Sequence, residues 1–192
     1  MVGAVLTAVV AGVVGAAGGF ARSTPDGVRV LRPGVEVEAT PLRVRLDRAE
    51  ATYEYAGRLA EPGRAYVVVE GMVALDDPES VGSELVNDSF GADLRAYEFG
   101  ELSDDAPPEV HVTGDGSTLL GLGPGLTYEV GLVYELDEAD VPATLTMSLR
   151  RHVRRPSSLN TSEIDWHDPT TFARVELDVA PLPDERPAEE VL

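Results

Sequence analysis

Residues 65–75 read AYVVVEGMVAL, eleven positions carrying a single charge, Glu70. It is apolar almost throughout, as a central strand should be. The flanking stretches differ, because there the apolar residues fall on alternate positions. Val35, Val37 and Ala39 alternate with Glu36, Glu38 and Thr40, and Leu42, Val44 and Leu46 alternate with Arg43, Arg45 and Asp47. Further on, Tyr128, Val130, Leu132 and Tyr134 share one parity, as do Ala143, Leu145, Met147 and Leu149, and then Val175, Leu177 and Val179. A period of two marks strands with one buried and one wet face.

Between these runs stand turn-formers: EPGR at 61, DDPES at 76, DDAPP at 104, GDGS at 114, GPG at 123 and DEADVP at 137. No stretch after residue 33 holds a helical period over three turns. Short strands without helices to cover a parallel sheet predict an all-β chain, an antiparallel sandwich of seven to nine strands over residues 33–182. The closing segment, 183–192, has the acidic, proline-bearing composition of a disordered tail.

The succession YVVVEGMVALDD, NDSFGADLRA, LLGLGPGLTYEVGLVYEL, VPATLTMSL and ARVELDVAP resembles the telokin-like immunoglobulin-fold domains found outside the membrane in Gram-positive bacteria. Its most specific piece is the turn Leu122-Gly123-Pro124-Gly125 leading into an apolar strand. It departs from the family at Asp76-Asp77-Pro78, where an Asn-rich turn is the rule. The resemblance implies an immunoglobulin-like sandwich and an extracytoplasmic location, and it assigns no activity.

Ahead of the sandwich, Met1 to Phe20 contains no charge and is long enough to cross a bilayer as a helix. Alanine and glycine dominate it, and Leu6 is its one leucine, so its hydrophobicity is moderate. Residues 1–21 are thus expected to be a single-pass membrane anchor, or a signal segment cleaved after Ala21 at Gly19-Phe20-Ala21 and releasing a secreted product. Residues 22–32 are the expected linker. Small residues spaced four apart, Ala4-Ala8-Gly12-Ala16 and Ala11-Gly15-Gly19, make Ala8, Gly12, Gly15 and Gly19 candidates for close helix packing in lipid. Composition alone also produces such spacings. Gly12, Gly15 and Gly18 do not form a dinucleotide loop, because the turn-rich RSTPDG follows where a helix should begin.

Charge narrows the partners. With 34 acidic against 15 basic residues the formal net charge is −19, and all the basic residues are arginine. Such a surface repels nucleic acid. The absence of cysteine removes disulfides, thiolate metal sites and cysteine nucleophiles together.

Few positions carry candidate chemistry. His111, His152 and His167 stand singly, and no serine sits in a G-x-S-x-G elbow. The glycines at 121, 123 and 125 read as a turn. SEIDWHDPTT gathers Asp165, Trp166, His167 and Asp168, readable as a small polar site or as a tryptophan plug at one end of the sandwich. Asp76-Asp77, Asp104-Asp105 and Asp137-Glu138-Asp140 are oxygen-rich but lack regular calcium-loop spacing. RRHVRR places Arg150, Arg151, Arg154 and Arg155 in one short segment, suited to phosphates or carboxylates of an envelope polymer, a lipid headgroup or a protein partner, or else to pairing with the chain's own acids. Together these features predict a membrane-anchored cell-envelope protein acting in binding or assembly, without cofactor or metal and not as an enzyme. Two other readings are an accessory or sensor subunit of an envelope transporter or complex, and a calcium-dependent glycan-binding or hydrolytic sandwich.

Overall fold

A computed structural model describes residues 22–23, 27–103, 106–157 and 164–187. The leader, with Ala8, Gly12, Gly15 and Gly19, lies outside the described residues, as do Asp104 and Asp105. Among the described residues, no helix is long and apolar enough to cross a membrane.

The principal strands are β1 (Arg29–Leu31), β2 (Val37–Ala39), β3 (Leu42–Thr52), β4 (Arg64–Leu75), β5 (Phe90–Ala92), β6 (Glu109–Val112), β7 (Thr127–Asp137), β8 (Thr144–Pro156) and β9 (Ile164–Ala180). They form a β-sandwich. One sheet runs β6-β7-β4-β3, and the other runs β1-β9-β8-β5. The outer edge of β3 is shared, with β2 pairing along its first residues and the end of β9 along its later ones, Val179 opposite Ala49. The 17-residue β9 therefore belongs to both sheets.

The alternating residues meet between the sheets. Leu42, Val44, Val73, Leu132, Tyr134, Leu145, Met147, Val175 and Leu177 all belong to one buried cluster. Removing these side chains from water supplies the main drive for the fold, about 1.5–3 kcal/mol for each large one. In β3 the buried parity changes at Asp47, where a bulge lets Leu46 and Ala49 both face inward. Gly71 lies across from that bulge. A Cβ there would run into the Arg45 carbonyl oxygen and stand 3.2 Å from Leu46 Cα, so only glycine lets β4 pass.

Strand β4 is apolar on both parities because both its faces are covered. Its second face carries Tyr66 and Val68, which cluster with Val133 and Ala60 under the small hairpin Glu54–Tyr55/Arg58–Leu59. That hairpin is latched to strand β6 by Arg58 and Glu109 (3.0 Å), and Glu109 also faces His111 at 3.3 Å.

Three features depart from the sequence-based expectation. Strand β1 falls within the expected linker 22–32 yet pairs in parallel with Ala173–Val175, so the sandwich begins before residue 33. The β1/β9 and β3/β9 pairings are parallel, in a sandwich expected to be wholly antiparallel. A six-residue helix, α1 (Ser83–Asp88), caps one end and buries Val86.

Candidate functional site

The two sequence motifs singled out for polar chemistry are partners in one ladder. Beyond Leu149 the core ends, and Arg150–Pro156 of β8 continues with Ile164–Thr171 of β9 as an exposed two-stranded ribbon. Val153 lies opposite His167, Arg154 opposite Trp166, and Arg155 opposite Asp165. A register irregularity between Arg151 and Val153 turns His152 inward, where it is 5 % exposed while its neighbours point to solvent. Its backbone amide donates to the Thr40 carbonyl at 2.8 Å, tying the ribbon to the turn before β3.

Between this ribbon and the α1 region opens a groove of about 470 Å³. Glu84, Asp88, His152, Asp165, Trp166 and His167 line it, with Ser80–Gly82, Leu85, Asp168 and Pro169. Trp166 is half-buried in the ribbon wall and is absent from the core clusters. This corrects the plug reading: the ladder continues past the sandwich and carries the indole out with it. His167 Nε2 is buried without a hydrogen-bond partner among the described residues.

The arginines of RRHVRR are mostly engaged by the chain's own oxygens. Arg154 donates to Glu79 at 2.7 Å, lies 3.5 Å from Asp77, and places its guanidinium 5.9 Å from the centre of the Trp166 ring. Arg155 grips Asp168 with two bonds, 2.6 and 3.0 Å, and holds that carboxyl below the usual carboxylate range. Arg150 reaches the Asp88 carbonyl at 3.4 Å and lies over Gly91. Arg151 is exposed. The groove therefore presents carboxylates and an indole, with the positive charge of Arg154 and Arg155 already paired.

His152 and Ser89 do not make a nucleophile and base. Ser89 is 1 % exposed and donates its hydroxyl hydrogen to the Leu85 carbonyl at 2.8 Å. It is left to accept from His152 Nε2 at 3.1 Å. The pair joins α1 to the ribbon. Burial pushes the His152 imidazole below its ordinary value, opposed by Asp88 and reinforced by Arg150.

The other candidates are structural. His111 sits under Tyr55, ring to edge at 5.7 Å, with Nδ1 3.0 Å from the Gly116 carbonyl. Asp137 accepts from Tyr97 and Glu138 from Tyr53. Among the described residues, no group of three or more histidine or acidic side chains is placed to hold a metal ion.

Fold and groove define a β-sandwich protein with a polar, indole-bearing cleft beside its ribbon. No protein-family model matches the chain, and no curated protein matches it in sequence. Three solved structures are similar to it. An "uncharacterized beta-sandwich protein" of Clostridium difficile is 10% identical, with 82% of this chain and 97% of that chain covered at a TM-score of 0.49. A "putative lipoprotein" of Staphylococcus aureus is 8% identical, with 80% and 97% covered at 0.44. A "putative lipoprotein" of Bacillus subtilis is 13% identical, with 74% and 38% covered at 0.37.

Sequence reasoning singled out the Asp165–Asp168 turn and RRHVRR separately and gave no sign that they share a wall. Glu84 and Asp88 were missed. They belong to α1, which is too short to leave a periodic trace.

Proposed function

We propose that this chain is a non-catalytic binding module of the cell envelope, an immunoglobulin-like sandwich of the telokin-like kind, held outside the membrane by its leader or released when the leader is cleaved. Its ligand-binding surface is the groove between α1 and the ribbon. The observation that carries this reading is Trp166, a half-buried indole in a groove wall beside the Nε2 of His167, which is buried and has no hydrogen-bond partner among the described residues. An aromatic face suits the C–H side of a sugar ring, and Glu84, Asp88 and Asp165 supply acceptors for hydroxyl and amine donors. The ligand class is a donor-rich envelope glycan. The leader and the sequence resemblance support the extracytoplasmic location.

Trp166 is the only tryptophan, so its emission reports on the groove directly. Titration with glucosamine oligomers, N-acetylated and free-amine, is expected to give a saturable change in emission, stronger for the free amine and weakened by Asp165→Asn. Unchanged emission with both oligomers would sink the proposal.

A further inference from the structure

At the opposite end of the sandwich the chain holds one of its own arginines in a receptor built from backbone. Beyond β9, Leu182 packs on the core cluster, residues 183–185 are exposed, and Arg186 is half-buried. Its guanidinium donates to the carbonyls of Ala60, Glu61 and Arg64, the last two at 2.8 and 3.1 Å. It also stands 5.0 Å from the centre of the Tyr53 ring. The Tyr53 hydroxyl is fixed by Glu138 at 2.8 Å, which holds the ring in place, and the Glu61 carboxylate is paired with Arg64 at 3.1 Å.

This arrangement suits a guanidinium in particular. Three carbonyl oxygens converge on a planar fork that can address them together, whereas an ammonium is a point donor on a thin stem. The Glu61 carbonyl already accepts the Arg64 amide, so the turn holding the receptor is shaped without Arg186. The tail's attachment is slight. Between Leu182 and Pro187 only Arg186 is even half-buried, and a one-residue clasp belongs to the part of a structure that opens at small free-energy cost.

We propose that the carbonyls of Ala60, Glu61 and Arg64 with the Tyr53 ring form a binding site for an arginine side chain of a partner protein, and that Arg186 is its intramolecular occupant, displaced when the partner docks. The site is separate from the groove and does not depend on the ligand assigned there. A tethered occupant acts as a competitor at an effective concentration in the millimolar range. Removing it opens the site to outside arginine.

The test compares the full chain with its Arg186→Ala variant, using Nα-acetyl-arginine methylamide as probe and the lysine analogue as control, read by amide chemical shifts. The variant is expected to show saturable shifts at residues 60–64 with the arginine probe, about tenfold tighter than the native chain. The lysine probe is expected to bind about tenfold more weakly, and Tyr53→Leu in the variant is expected to abolish the response. Equal response of native and variant chains, shifts confined to the groove, or no shifts would overturn the proposal. So would an Arg186→Ala chain that fails to fold, since the arginine would then be part of the fold and not a displaceable occupant.

Discussion

The phenol oxygen of Tyr55 occupies the space that a Cβ on residue 131 would fill, so Gly131 in the middle of β7 is what lets the 54–59 hairpin lie flat on the sheet. The same hypothetical Cβ would be 2.9 Å from Tyr55 Cζ and 3.3 Å from a Val68 methyl. Gly131→Ala is expected to lift the hairpin and lower stability by about 1–2 kcal/mol, read from the urea midpoint. In a Tyr55→Leu background the same change is expected to cost markedly less. Additive losses would show that the two residues do not compete for this space.

Gly71 should respond differently. Its obstacle is the Arg45 carbonyl and the backbone of the β3 bulge, which cannot rotate away as a tyrosine can. Gly71→Ala is expected to cost about 3 kcal/mol, near the upper end for overpacking, and no side-chain change in β3 should restore it. A denaturation midpoint close to that of the native chain would show that the bulge yields.

Trp166 and Phe90 separate the ribbon from the core. Phe90 is 1 % exposed inside the main cluster, and Phe90→Ala is expected to cost about 3–5 kcal/mol. Trp166→Ala is expected to cost about 1 kcal/mol or less, because the ribbon adds little to the core. In the native chain acrylamide should quench the indole readily. A large loss of stability on Trp166→Ala would restore the tryptophan to a packing role.

The buried His152 makes stability depend on pH. Its folded-state value lies below its ordinary one, with burial as the main cause, so below about pH 6.5 the unfolded chain takes up a proton that the folded chain refuses. Stability then falls as pH falls, by at most about 1.4 kcal/mol per pH unit from this group, until the folded-state value is passed. His152→Gln is expected to flatten the stability profile between pH 6.5 and 5. An unchanged slope in the variant would assign the dependence to other groups.

The core was legible because it repeats. Val130, Leu132 and Tyr134, or Leu145, Met147 and Leu149, announce their faces by spacing, and the structure buries those same residues. Strand β4 announced its place by the lack of alternation. Arg29–Leu31 left no such trace, since three residues with two of them exposed carry no period. Helix α1 is shorter than two turns and was hidden for the same reason. The groove depends on a register irregularity at His152 and on pairing across the seven residues between Pro156 and Ile164, and neither is written in local composition. Arg186 looked like part of a charged tail because backbone carbonyls, its partners, have no sequence signature.

Because β9 pairs with β8 from Ile164 to Asp178 and hands its last residues, Val179 and Ala180, to β3, neither half of the sandwich can melt on its own. Opening either sheet releases a strand that the other requires. Heat absorption should therefore follow one all-or-none transition, with calorimetric and van't Hoff enthalpies agreeing. Amide protons deep in β4 and in β9 should exchange only through that common event, leaving the ribbon, the 54–59 hairpin and the Arg186 clasp as the parts that breathe independently.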